Sequence, residues 1–415
     1  MIPFHTNLSI VILSIVLLLI ALRQVGRLKF RIWQAMSLGA IAVLLTGQIS
    51  PIDAILAINV NVMVFLFGMF IVGQAMYTSG YLFLTAHRLF RNVRSVDRLV
   101  FTILIALGIL AALLMNDTVA IIGTPLVLHY AKKFGVSPKL LLLALCFAIT
   151  TGSGLSPIGN PQNVLIATYS RLDNPFLTFG VFLGIPTFLC LIVTYIVLKL
   201  LYRDEFRREI LYYRDEWVTD PHLAKLAEVS IFILIALICT RSASVIYPFL
   251  NVVSLPIIAI IAAAPLLLFS PKRAMLVKSI DWSTLIFFAT MFIVMASVWQ
   301  SGFFQDLFAI QIIASIPLIC TISVIISQFI SNVPFVALFQ PLLIRQGIPL
   351  AHVMALAAAS TIAGNLTILG AASNVIVIQN AEKQGETLTF IDFLKAGLPL
   401  TFIQIAIFIT FLTIF

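Results

Sequence analysis

Charge is scarce in this sequence. Asp, Glu, Lys and Arg make up only 10% of the chain against 61% hydrophobic residues, and the acidic residues (16) are rarer than the basic ones (25). Soluble chains carry about a quarter charged residues, so a fold bathed only in water is excluded. Cysteine is nearly absent. Cys146, Cys190, Cys239 and Cys320 stand in apolar text without ligand-like spacing, which argues against a disulfide framework and against a structural metal centre. There is no P-loop, no dinucleotide fingerprint and no zinc motif, so no cofactor, no enzymatic centre and no direct drive by ATP are expected. The opening run MIPFHTNLSIVILSIVLLLIALRQ lacks a basic leader and a small-residue cleavage site, and is taken as a first span rather than a removed signal.

What fills the chain instead is long apolar text. Leu8 to Leu22, Phe176 to Leu201 and Ala396 to Phe415 approach or reach the roughly 20 residues that a helix needs to cross a bilayer. The runs are continuous rather than alternating, which excludes a β-barrel. The expected fold is an all-α polytopic protein of the cell membrane, with the lipid bilayer as its main solvent. The net charge of +9 does not point to nucleic acid, because the basic residues sit in short breaks between spans, as the inner-side bias of membrane proteins requires.

Crossings are expected near residues 6–22, 32–48, 60–80, 140–168, 176–200, 226–244, 254–270, 283–300, 350–380 and 396–415. Two further apolar stretches, 99–131 and 309–345, are each broken by a polar knot, Asn116-Asp117-Thr118 and Ser331-Asn332-Val333-Pro334. Their arms are short on at least one side, so each is expected to enter and leave by the same face as a re-entrant hairpin. With the N-terminus outside, this threading puts every Lys and Arg on the inner side except Arg171, Arg241 and Arg345. The longest polar section, Tyr202 to Glu228, has the mixed charge and aromatic content of an amphipathic surface helix or an ordinary connecting loop.

The two halves match in order. MVFLFGMFIVGQAMYTSG (63–80) resembles LIFFATMFIVMASVWQSG (285–302), Asn116 with Pro125 resembles Asn332 with Pro341, and SGLSPIGNPQNV (153–164) resembles GNLTILGAASNV (364–375). Such ordered matches indicate a duplication: a first repeat over 1–202, a linker over 203–225 and a second repeat over 226–415. Five crossings plus one hairpin make an odd count, so the second copy is expected to be inverted, an architecture that recurs among secondary transporters.

The knots and breaks supply the candidate site. A hairpin bend leaves backbone N–H and C=O groups without helical partners, and Asn116, Asp117 and Thr118 add short polar side chains beside them. A carboxylate at membrane depth costs about 2.5–3.5 kcal/mol on insertion scales, and no cation is placed to pair with Asp117. Binding of H+ or Na+ there is the functional reading; a structural cap on nearby helix N–H groups is the plain one. Gly and Pro interrupt the spans at Ser153 to Asn163 and at Ala363 to Asn374, leaving half-helices whose N-termini favour an anion or a hydroxylated solute. Ser156, Asn160, Gln162, Asn163, Asn365, Thr367, Ser373 and Asn374 can direct hydrogen bonds there; each taken singly is equally well a helix–helix contact. His129 is either a proton relay or, as the plainer reading, packing or capping; Gln74 and Gln300 sit in crossings near the repeated Ser-Gly, where they can face the bundle, and no role is assigned to them.

These residues resemble the ion transporter superfamily of arsenite/antimonite permeases, sodium/proton antiporters and citrate or divalent-anion carriers. Asn116-Asp117-Thr118 with Pro125 is similar to the first-half signature of the permease and antiporter branch, Gly159 to Asn163 to that family's break, and Ser331 to Pro334 with Gly370 to Asn374 to the second-half counterpart. The resemblance implies opposed hairpins with a solute between their tips and alternating access. It also implies a first cation-related site at Asn116, Asp117, Thr118 and Asn163 and a second at Asn332 and Asn374. Dicarboxylate carriers have Ser-Asn-Thr at both tips; the Asn-Asp-Thr and Ser-Asn-Val present here weigh against a symmetric sodium/dicarboxylate carrier. The expectation is a secondary active transporter of a small anion or oxyanion, arsenite-like or carboxylate, coupled to H+ or Na+. A sodium/proton antiporter and a gated channel are the alternatives. Substrate, coupling ion, flux direction and self-association as a homodimer stay open at this point.

Overall fold

The computed structural model describes residues 8–22, 24–25, 28–29, 31–81, 85, 93–170, 172–207, 220–244, 247, 253–302, 315–345 and 347–415. They form nineteen α-helices, and one two-residue antiparallel ladder, Gln24–Val25 with Leu28–Lys29, is the exception to an all-helical architecture. In chain order the helices are α1 (Leu8–Leu22), α2 (Ile32–Leu45), α3 (Pro51–Ala57), α4 (Val60–Ser79), α5 (Val96–Leu114), α6 (Asn116–Phe134), α7 (Pro138–Ser153), α8 (Pro161–Tyr169), α9 (Pro175–Leu201) and α10 (Arg203–Phe206). They continue as α11 (Pro221–Ala243), α12 (Leu255–Phe269), α13 (Arg273–Ser279), α14 (Trp282–Gln300), α15 (Ile316–Ile330), α16 (Asn332–Arg345), α17 (Leu350–Ile362), α18 (Ala372–Glu382) and α19 (Phe390–Leu412).

Helices α4, α5, α9, α11, α14 and α19 are long and apolar enough to cross a membrane. The spans expected near 6–22, 32–48 and 254–270 are shorter than that, with α1, α2 and α12 counting 15, 14 and 15 residues. A turn at Gly47 (φ 70°) and Pro51 at the first position of α3 end α2 and start a new short helix, so the apolar text there folds as two pieces. Of the two arms of the first expected hairpin, α5 at 19 residues meets the length of a full span, whereas α6 is not among the helices apolar enough to cross. Of the section Tyr202 to Glu228, expected as an amphipathic surface helix or an ordinary loop, residues 208–219 lie outside the described residues, and its two ends form α10 and the start of α11.

The packing pairs the two halves reciprocally. α2 lies on α14 and α12 on α4, α5 on α7 and α15 on α17, and α6 on α18 and α16 on α8. The α5–α7 pairing is repeated within the second half as α15–α17, and the other pairings cross between the halves with the roles exchanged.

Ion pairs join segments of the basic face: Lys139 to Asp392 at 2.8 Å, Lys199 to Asp97 at 2.5 Å and Lys272 to Asp220 at 2.7 Å. Asp220 also caps α11 through the Leu223 N–H at 3.0 Å, and that bond together with Lys272 holds its carboxyl below the usual carboxylate range. On the opposite face Asn174 donates to the carbonyls of Arg241 and Ser242 at 2.8 and 3.1 Å.

Candidate functional site

Two residues other than glycine have positive φ among the described residues, and they stand at the two polar knots. Met115 (φ 72°, ψ 142°) joins α5 to α6, and Ser331 (φ 66°, ψ 160°) joins α15 to α16. This region of backbone space suits glycine almost alone and costs a side-chain-bearing residue about 1–3 kcal/mol, so both turns are held by their surroundings. Replacing Ser331 by glycine is expected to raise thermal stability by about 1 kcal/mol, whereas Ser331→Ala leaves the strain in place. Melting curves of the two purified variants decide it; equal midpoints would show that the turn is unstrained.

The tip of the first hairpin sits between both interrupted spans. Its Asn116 N–H donates to the Gly159 carbonyl at 2.8 Å, in the first break, and the Asn116 side-chain amide donates to Ser373 Oγ at 3.3 Å, in the second. Asn116 Oδ1 accepts from the Asp117 N–H at 2.9 Å. Asn116, Asp117 and Thr118 are all buried. Thr118 is pressed on Gly73 of α4, where any side chain would collide with its methyl group.

In the first break, α7 ends at Ser153 and α8 begins at Pro161. Asn160 caps α8, accepting from the Asn163 N–H at 2.9 Å, and its amide donates to Ser153 Oγ and Thr361 Oγ1 at 3.0 and 3.1 Å. The Asn163 amide donates to the carbonyls of Ser153 and Ser156 at 3.3 and 3.1 Å. Ser156 Oγ accepts from the Ile158 N–H at 3.2 Å. These three residues supply the unwound backbone with partners, and most of their hydrogen-bonding capacity is committed to that task. Gln162 is buried beside them.

The second break runs from the end of α17 to α18. Asn374 donates to the Gly364 carbonyl at 2.6 Å, and Thr367 Oγ1 donates to Gln328 Oε1 at 2.8 Å. Asn365 donates to Thr151 Oγ1 and Gln404 Oε1 at 2.9 and 2.8 Å. The two breaks are stitched by matching bonds: Thr150 of α7 to Asn374, and Thr361 of α17 to Asn163, both at 3.5 Å. At Gly159 and Gly370 a side chain would run into the Ser153 and Ala363 carbonyls respectively, so both loops close only over glycine.

Four helix N-termini (α6, α8, α16 and α18) begin at this buried polar centre. α8 is capped by Asn160, whereas α6 and α18 have no side-chain cap of their own. Among the described residues, Asn332 Oδ1 and Asn365 Oδ1 belong to the buried polar atoms left without a hydrogen-bond partner. The second tip approaches the second break at Gly364, whose added Cβ would stand 3.7 Å from Asn332 Nδ2. Ser331 is half-buried at its edge. The Asp117 carboxylate accepts no hydrogen bond among the described residues, so the capping bonds of the plain reading are not present. Unpaired buried groups of this kind cost free energy unless a ligand supplies the missing partner.

Sequence reasoning missed Thr150, Thr151, Thr361, Gln328 and Gln404. Gln404 donates to Thr151, Thr194 and the Cys190 carbonyl, and ties α19 to the second break. A lone glutamine inside the apolar text of α19 was the available signal, because a buried amide in lipid-facing sequence needs partners.

The sequence matches the model of the citrate transporter family, CitMHS, over residues 15–346. The chain belongs to the citrate transporter family. Relatives of this citrate transporter family member include an uncharacterized transporter of Mycobacterium tuberculosis, 27% identical over 399 residues, which are 89% of this chain and 90% of the relative. The P protein of Homo sapiens is 25% identical over 450 residues, 86% of this chain and 54% of that longer protein. Among solved structures, the YdaH transporter of Alcanivorax borkumensis shares the fold with a TM-score of 0.58 at 15% identity, over 99% of this chain and 98% of that one. The chain is thus a multi-pass membrane transporter of this family and not an enzyme.

Proposed function

We propose that this transporter is a secondary active carrier of a small anion or oxyanion, with a carboxylate such as citrate first among the candidates, driven by H+ or Na+. The observation that carries the reading is the meeting of four helix N-termini, two of them without side-chain caps, around buried amides and hydroxyls. Helix N-termini carry partial positive charge and free N–H groups, which favour an anion without placing Lys or Arg in the membrane. The family's name supports a carboxylate, and the unpartnered Asp117 supports a coupling cation.

An inverted pair of repeats, 1–202 and 226–415 joined by 203–225, is supported by the reciprocal packing. The hairpin ends support it too. α6 runs to Lys132 and Lys133, and just beyond it the Ser137 N–H bonds Glu205 at 3.2 Å on the basic face. On α16, Gln340 reaches Ser170 at 2.9 Å on the other face. In this reading Asn116, Asp117, Thr118, Ser331, Asn332, Asn365, Thr367 and Asn374 line the solute and ion sites, while Ser156, Asn160 and Asn163 position them. A sodium/proton antiporter is the second reading, favoured by the unpaired state of Asp117 alone.

Purified protein in proteoliposomes tests this with labelled citrate, succinate, phosphate and arsenite under imposed pH or sodium gradients. Gradient-driven uptake of one of these, accelerated by unlabelled solute inside, is expected. Sodium/proton exchange with no uptake of any anion would transfer the function to the antiporter reading, and flux without counterflow would indicate a channel.

A further inference from the structure

The transport reading gives Asp281 no role. Asp281 precedes α14, and it lines a small cleft together with Asp117 and Thr118 of the hairpin tip, Phe70, Gly73, Gln74 and Tyr77 of α4, Ile121, Ile122 and Ile280. Two carboxylates from segments far apart in sequence thus share one opening, one on the hairpin and the other on the α4–α14 side.

Asp281 has a structural duty that is separable from its charge. It caps α14, accepting from the Thr284 N–H at 3.1 Å and from Thr284 Oγ1 at 2.6 Å. Among the described residues no cation lines the cleft, and Tyr77 is its other ionisable member. α4 and α14 carry no charged residue, and Arg273 and Lys278 line a separate shallow groove with Trp282. The ionisable residues of α5, α7 and α18 that flank the hairpin (Asp97 and Arg98, Lys139, Glu382) stand toward the helix ends away from its tip. Two like charges sharing a small, partly buried space favour uptake of a cation between them. The remaining donors suit that: Thr118 has a hydroxyl at the wall, and Gln74, whose amide donates to Thr78 at 3.1 Å, has its carbonyl oxygen left to turn inward.

We propose that Asp281 is the second carboxylate of a cation site shared with Asp117, at the contact between the first hairpin and the α4–α14 side. The inference deepens the transport reading and rests on its assignment of coupling to Asp117. Loaded with a proton or a small monovalent cation, the pair joins the hairpin to its wall. Emptied, it repels, and cation occupancy is thereby tied to the movement of the tip.

The test uses full-length protein in detergent. Its melting temperature is followed from pH 5 to 8.5 in choline chloride, and then at pH 8 with NaCl or LiCl replacing choline. Wild type is expected to lose stability as pH rises and to regain it with one of the two salts or with protons alone. Asp281→Asn keeps a good N-cap, since Asn and Asp cap equally well, so a purely structural Asp281 leaves the profile in place. The expected result is a shift of the pH midpoint downward by about one unit, or loss of the salt response. Asp281→Glu is expected to stay close to wild type, and Asp281→Ser, also a capping residue, replaces the Asn variant if that misfolds. A wild-type profile in both neutral variants, with Asp117→Asn altered, overturns the role of Asp281 and leaves the transport reading standing. A wild-type profile in Asp117→Asn overturns both.

Discussion

Asp117→Asn is expected to yield a folded, membrane-inserted protein that exchanges solute but no longer accumulates it against a gradient. The side chain is 6% exposed, accepts no hydrogen bond among the described residues and faces a second carboxylate across a narrow cleft. Asparagine has the same shape without the charge, so it relieves a buried ionisable group while leaving the Asn116 bonds to Gly159 and Ser373 untouched. Uptake driven by a pH or sodium gradient should fall by at least about tenfold, the equivalent of roughly 1.4 kcal/mol of coupling. Counterflow at equal pH and sodium should persist, and the melting temperature should hold or rise. Gradient-driven uptake equal to wild type would remove Asp117 from the coupling step. Loss of counterflow as well would assign the residue to solute binding.

The second large effect is expected at Gly159. Its carbonyl receives the Asn116 N–H, and a methyl group at its Cα would overlap the backbone of Ser153, which no rotamer change can move aside. Overpacking of this kind typically costs about 1–3 kcal/mol, and a backbone obstacle places Gly159→Ala toward the top of that range. The loop must shift to admit the methyl, taking with it the carbonyl that anchors the hairpin tip. Solute uptake is therefore expected to fall by an order of magnitude or more even where protein is recovered. Gly180→Ala is the control: nothing lies within 4 Å of its added Cβ, and alanine inside α9 should be neutral or stabilising by about 0.5–1 kcal/mol. If both substitutions leave uptake alike, the tight closure over Gly159 has no part in holding the site.

How much of this was legible in advance differs by residue. The two turns were: polar text within apolar runs marks where a helix must stop, because lipid offers no partner for a freed N–H or C=O. Both positive-φ residues fall at those knots. The interruptions at Gly159 and Gly370 were legible for the same reason. Helix lengths were less so. α5 is a full-length helix, and the sequence does not distinguish an arm that reverses at Met115 from one that continues. The roles of the amides were not legible at all. Asn160, Asn163 and Asn365 look alike as letters, yet the first two supply the backbone of their own break, while Asn365 bridges to Thr151 and Gln404 and keeps an unpartnered oxygen.

Composition and the placement of polar residues by themselves determined that this chain lives in a bilayer and where its helices break. These follow from transfer energies and backbone satisfaction, which act residue by residue along the chain. Only the tertiary structure decided that Asn116 reaches both breaks, that Thr150 and Thr361 stitch them together, and that Asp281 shares a cleft with Asp117. Those partners lie up to 257 residues apart in the chain, as between Asn116 and Ser373. A hydrogen bond depends on distances of a fraction of an ångström, which packing sets and residue order alone does not contain.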